Sequence, residues 1–226
     1  MAYLDTIDYW TFASLGNAAD FGDLTVARGT GEGISDGTKG VFGGGNTGSV
    51  SDVIDYVNIA SLGDASDFGD LTVARAFPGA ASNGTRGLFA GGLIGYSDVI
   101  DYVIIASLGD ATDFGNLLAT KYKASGCSDG TKGVFAGSHD GTSFIDVIEY
   151  VNIASTGNSS DFGNLTTGKT SGTAVSDGTK GVYGGGWNGS ANQDVIEYWV
   201  MASLGDASDF GDLTVARREN AGTSGT

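Results

Sequence analysis

The sequence predicts an all-β protein made of about five copies of one four-stranded unit set around an axis, and three observations predict it. The segment Asp-Phe-Gly-(Asp/Asn)-Leu recurs from Asp20, Asp67, Asp113, Asp161 and Asp209, at intervals of 47, 46, 48 and 48 residues. An upstream Ile-(Asp/Glu)-Tyr block repeats at the same intervals, with its tyrosine at Tyr9, Tyr56, Tyr102, Tyr150 and Tyr198. A third block, Ser-(Asp/Asn)-Gly-Thr-(Lys/Arg)-Gly, starts at Ser35, Ser82, Ser128 and Ser176. Self-similarity at this period marks a repeat architecture, and a unit of about 47 residues suits one blade of a β-propeller.

Each strand of the unit has its own residues to account for it. Asp52–Ala60 is rich in β-branched and aromatic residues and is bounded by Ser and Gly. Gly40–Gly45 is a second, shorter apolar run. Asp36-Gly37, Asn83-Gly84, Asp129-Gly130 and Asp177-Gly178 are dipeptides favoured in two-residue hairpin turns. They place a further strand just before them, in small residues such as Ala124–Ser128. A fourth short strand lies near Asp-Phe-Gly. No window keeps apolar residues at helical spacing, and 40 Gly against a single Pro disfavours helix throughout.

No linker or composition shift interrupts the pattern, so residues 1–226 read as one five-bladed domain with four-stranded blades. Five full units of about 47 residues need about ten more residues than the chain has. The tail after Arg217 enters a fifth innermost strand, and the head resumes at the outer strands. Head and tail are therefore expected to share one blade that lacks its Gly-Val-Phe strand. The expectation is a locally irregular blade; the alternatives are a strand borrowed from a neighbour or a cut from a longer array.

Charge excludes some functions. Lys and Arg total 11 against 27 Asp and Glu, a net charge of −16. Phosphate backbones and anionic lipid both call for a basic surface, so neither nucleic acid nor membrane insertion is expected. The lone Cys127 rules out an internal disulfide, and it falls in an inner-strand phase occupied elsewhere by Ala81 and Val175, which suits a small buried side chain. The head lacks the charged start and apolar core of a signal peptide.

The order Arg75, Ser82-Asn83-Gly84-Thr85, Leu88-Phe89-Ala90-Gly91-Gly92 and Val99-Ile100-Asp101-Tyr102 resembles a kelch repeat. Phe114 stands where that family has Trp, and Ala136-Gly137-Ser138 replaces the Gly pair in copy three. The wording Ile-Asp-Tyr through Asp-Phe-Gly-Asp-Leu-Thr-Val-Ala-Arg is similar to repeats of virion and tail-fibre-like proteins of marine phages. The resemblance implies a propeller that binds or builds rather than catalyses. It also implies cytoplasmic synthesis with a virion or extracellular destination.

Candidate residues follow from phase. Basic residues recur at Arg28, Arg75, Lys121, Lys169 and Arg217. Their expected role is structural ion pairing, with the Asp20, Asp67, Asp113, Asp161 and Asp209 series or with Asp8, Asp55, Asp101, Glu149 and Glu197 as partners. Triplets such as Asp64/Asp67/Asp70 offer oxygens that calcium could use, but they lack the EF-hand spacing, and Asn replaces Asp in other copies as turn capping allows. No metal or cofactor is therefore expected. The framework blocks hardly vary, whereas the loop after the Gly cluster does, and loops on a rigid scaffold carry recognition. Asn46, Tyr96, His139, Asp140, Trp187 and Asn188 are the candidates there, facing a protein or glycan surface. Weak sites of this kind gain avidity in a homo-oligomer or beside a virion partner. One competing reading is a kelch-type adaptor inside cells. The other is a propeller hydrolase, which would need acids unique to one copy, and Glu32, Asp140 and Glu219 are the acids outside the repeated phases.

Overall fold

The computed structural model describes residues 2–93 and 95–223, all of them strand, turn or irregular chain, with no helix. The head gives β1 (Thr6–Tyr9) and β2 (Ala19–Asp23), which pair only with each other. Four antiparallel four-stranded sheets follow in chain order. The first comprises β3 (Glu32–Ser35), β4 (Lys39–Gly43), β5 (Val53–Asn58) and β6 (Ser66–Asp70). The second comprises β7 (Gly79–Ser82), β8 (Arg86–Ala90), β9 (Ser97–Ile104) and β10 (Thr112–Lys121). In the third, β11 (Ser125–Ser128) and β12 (Lys132–Ala136) are separated from β15 (Val147–Asn152) and β16 (Ser160–Asn164) by a hairpin, β13 (Ser138–His139) and β14 (Phe144–Ile145). The last comprises β17 (Thr173–Ser176), β18 (Lys180–Gly184), β19 (Gln193–Val200) and β20 (Ser208–Arg217).

The recurring blocks each do one mechanical job. In Asp-Phe-Gly the ladder skips the phenylalanine: Asp55 lies opposite Asp67 and Ile54 opposite Gly69, so Phe68 is the extra residue of a β-bulge. A bulge re-aims a side chain. Phe21, Phe68, Phe114 and Phe162 are each buried among apolar residues of the following unit, and four hydrophobic clusters form, one at each junction. The tyrosine of Ile-(Asp/Glu)-Tyr meets the same phenylalanine edge to face, as Tyr102 meets Phe114 at 5.9 Å between centroids. Burying one such phenylalanine contributes about 2–3 kcal/mol, so these junctions hold the sheets in sequence.

The hairpin block differs from expectation. The two residues at the tip are Gly37 and Thr38 rather than Asp36 and Gly37: Asp36 N–H donates to the Lys39 carbonyl, and only Gly37 takes a positive φ, of 83°. Ser35 Oγ accepts from Gly37 N–H, and Asp36 Oδ1 accepts from both Thr38 and Lys39 N–H. The side-chain caps, repeated at Ser82-Asn83, Ser128-Asp129 and Ser176-Asp177, take up the remaining N–H groups of the turn beside that backbone bond. The basic residue after each turn reaches across the junction: Lys39 Nζ donates to the Ile105 and Ala106 carbonyls, and Arg86 donates to those of Ile153 and Ala154.

The first strands of the four sheets, β3, β7, β11 and β17, lie beside one another. Together with Gly222 and Thr223 they line one cavity of about 390 Å³, each contributing the same repeat phase. The expected sharing of one sheet by head and tail is not seen among the described residues. The tail after Arg217 joins no ladder, because no described strand lies beside it at the roughly 4.8 Å that bonding needs, and β1 pairs with β2 alone.

Candidate functional site at the repeat corners

Five residues at one repeat phase hold a left-handed backbone although none is glycine: Thr30, Phe77, Lys123, Ser171 and Glu219, with φ between 55° and 63°. Such a conformation costs about 1–3 kcal/mol per residue and persists where the surroundings enforce it. Here it turns the chain from the last strand of one unit toward the first strand of the next. Backbone bonds join these corners: Phe77 N–H donates to the Thr30 carbonyl, Lys123 to Phe77 and Glu219 to Ser171. All five corners line a second cavity, of about 310 Å³.

The corners repeat in backbone but not in side chain, and this is where chemistry collects. Lys123 Nζ stands 3.2 Å from Glu219 Oε1 and 4.6 Å from the centroid of Phe77. Glu32, at the start of β3, lines the same cavity. Its carboxyl stays open to solvent yet is walled by protein on its sides, and the loss of hydration pushes it up to about 7, against a small opposing pull from the Gly33 N–H. Two of the acids that stand outside the repeated phases thus share one cavity with a lysine. The third, Asp140, is elsewhere in use: it caps Thr142 and Ser143 N–H, and those bonds hold its carboxyl below the usual range.

The variable loops bank against the same corners. Asn46, His139 and Trp187 form isolated bridges with Gly29, Tyr122 and Thr170, the residues just before the left-handed ones. Tyr96, Tyr122, His139 and Phe144 stack in a tilted and edge-to-face row with neighbouring centroids 4.7–5.6 Å apart, and Arg218 lies 4.6 Å from the Trp187 ring. His139 Nδ1 accepts from Gly141 N–H, and the residue is half-buried. The side-chain oxygens of Asn46 and Asn188 are taken up by their own turns, Asn46 also accepting from the Tyr3 hydroxyl. Tyr96, His139 and Trp187 are therefore the members of the loop set with surface to offer.

The basic series is placed differently from one of its two expected partner sets. Arg28 pairs with Asp55 at 2.8 Å and Arg75 with Asp101 at 2.6 Å, while Lys121 pairs with Glu149 and Lys169 with Glu197, always across a junction and always buried. The Asp20 series joins none of these pairs; Asp67, Asp113 and Asp209 instead cap the N–H of the glycine two residues on. Arg217 is exposed and, among the described residues, has no carboxylate in reach. The acidic triplets also act as caps across junctions: Asp64 accepts from Asp23 N–H, Asp110 from Asp70, Asn158 from Asn116 and Asp206 from Asn164. A single acceptor oxygen suffices for that, which is why Asp and Asn interchange. Cys127 is buried in the inner strand, where desolvation pushes its thiol up to about 12.

Sequence reasoning missed Lys123, Phe77 and Tyr122. Their only signal was that side chains at the corner phase differ in every copy while the framework around them does not. Compared with protein-family models and with curated proteins, the chain matches none.

Proposed function

We propose that the chain is a five-bladed, kelch-like β-propeller acting as a non-enzymatic recognition module, with its axial mouth as the binding face and a glycan as the ligand class. The observation that carries this reading is the segregation of variety. Framework residues repeat, whereas side chains differ from copy to copy in the corner cavity, lined by Glu32, Phe77, Lys123 and Glu219, and in the loops beside it, where His139 and Trp187 bridge to the residues preceding the corners and Tyr96 stacks on Tyr122. Half-buried aromatic rings beside carboxylate, ammonium and amide groups suit a ligand with apolar faces and polar edges. The ring arrangement is supported by the two cavities to which all five repeat phases contribute. The virion or extracellular setting rests on the resemblance of the repeat wording.

Glycan-array binding tests the reading. Saturable binding that Trp187→Ala weakens about tenfold or more, with melting unchanged, is the expected result. Flat signals on every glycan overturn it. Release of sugar from a bound glycan that Glu32→Gln abolishes would replace it with the hydrolase reading.

A further inference from the structure

The last sheet differs from the other three in having one face uncovered. Val41, Leu88 and Val134 in the second strands of the first three sheets are fully buried, but Val182 in β18 is not. Ile54, Ile100 and Ile148 are fully buried; Ile196 is not. Phe21, Phe68, Phe114 and Phe162 are at most 8% exposed, whereas Phe210 is 57% exposed. Between this face and the tail lies a cavity of about 260 Å³, walled by Val175, Val182, Ile196 and Leu213.

The other junctions show what fills such a space. The aromatic residue of each second strand packs on a small residue of the preceding sheet: Phe89 against Gly43, Phe135 against Gly79, Tyr183 against Gly137. Gly184, the counterpart of Gly43 in the last sheet, has no side chain of another unit against it; a Cβ there would meet only Ile196, at 4.0 Å. Asn220, beside the cavity, donates to the Gly184 carbonyl while its buried Oδ1 is without a partner. In the repeat order the next sheet after this face is that of β1, whose second edge is unpaired among the described residues, and Tyr9 lacks the cation that Lys39, Arg86 and Lys180 place over Tyr56, Tyr102 and Tyr198.

We infer that the space between the tail and β1 is a strand-acceptor site, taking an extended polypeptide of pattern basic–Gly–aliphatic–aromatic–(Gly/Ala) supplied from outside residues 1–226. The four resident strands of that pattern, Lys39–Gly43, Arg86–Ala90, Lys132–Ala136 and Lys180–Gly184, define the chemistry. By the register of β4 on β5, the incoming aliphatic residue stands opposite Tyr9, the aromatic opposite Asp8 and the glycine opposite Ile7. The aromatic ring then covers Gly184, the basic side chain reaches the Ile59 and Ala60 carbonyls, and backbone bonds supply affinity as in other strand additions. The inference uses the repeat geometry and not the ligand of the mouth, so its success or failure is separate from the glycan result.

The probe is a labelled peptide with the sequence of Ser35–Gly45, SDGTKGVFGGG, titrated into the full chain by fluorescence anisotropy, with melting followed in parallel. Saturable one-to-one binding and a rise in melting temperature are expected. A peptide with Asp in place of its Val and Phe is expected to bind at least tenfold more weakly. Gly184→Leu fills the cavity without a backbone clash, so that protein should melt as before yet lose the peptide. Absence of saturable binding, equal binding of the Asp-substituted peptide, or undiminished binding by Gly184→Leu would each overturn the proposal.

Discussion

Arg75 Nη2 lies 2.6 Å from Asp101 Oδ2 with both side chains wholly excluded from solvent, and the pair joins the end of one unit to the third strand of the next. Its surroundings explain its survival inside. Arg75 also donates to the Gly91, Val99 and Val73 carbonyls, and Asp101 accepts from Thr72 N–H and Oγ1. Burial nonetheless pushes the Asp101 carboxyl up and the Arg75 guanidinium down, outweighing the attraction between them. Removing one partner strands a buried charge, so Arg75→Ala should cost about 3–5 kcal/mol in urea unfolding. Arg217, at the same phase but exposed and unpaired, provides the internal control, and Arg217→Ala should change stability by no more than about 0.5 kcal/mol. Equal losses at the two positions would mean that the junction pair does not carry stability.

A second comparison isolates backbone packing. Gly115 and Gly211 both sit in Asp-Phe-Gly with φ near +140°, at +145° and +140°. A Cβ on Gly115 would come within 2.5 Å of the Gly157 carbonyl group, whereas on Gly211 it would meet nothing within 4 Å. Conformational strain is thus common to both, and only Gly115→Ala adds a backbone collision. Gly211→Ala is expected to cost about 1–3 kcal/mol, and Gly115→Ala clearly more, by denaturant melts.

The same logic applies to the bulged phenylalanines. Phe162 is 2% exposed, packed among Trp199, Met201 and Ala207 of the next unit, and its replacement by Ala should cost about 3–5 kcal/mol. Phe210 is 57% exposed and meets Tyr198 edge to face at 5.9 Å, so Phe210→Ala should cost about 1 kcal/mol. If strand addition covers that face, the cost of Phe210→Ala rises once the peptide is bound.

These contrasts show what was legible beforehand and what was not. The all-β class and the four-stranded unit could be read from Ile-Asp-Tyr and Asp-Phe-Gly, because both blocks are local: a Tyr and a bulged Phe facing each other within one sheet. Ion-pair partners were not fully legible. Phase alone could not tell Asp67 from Asp101 as the partner of Arg75, since the choice depends on which unit docks against which. The corner cavity was illegible for the same reason in stronger form. Glu32, Lys123 and Glu219 are far apart in the chain, and only the convergence of the corners brings them to one cavity. What the sequence did carry was the negative pattern, acids that fit no repeated phase.

Glu32 gives a prediction of defined sign. Its carboxyl is raised in the folded protein to about 7 from the ordinary 4.5, chiefly by lost hydration. Between those two values the folded chain holds a proton that the unfolded chain has released. Raising the pH through that window therefore removes stability, and the loss is complete above about 7; below 4.5 both states are protonated and the group contributes no pH dependence. Other carboxylates titrate too, so the informative quantity is the difference from Glu32→Gln, which cannot ionise. The variant should melt together with the parent at pH 4 and above it at pH 8, the gap opening mainly between about pH 5 and 7. A gap that is constant across the range, or one that opens on acidification, would show that the mouth does not hold this carboxyl in its neutral form.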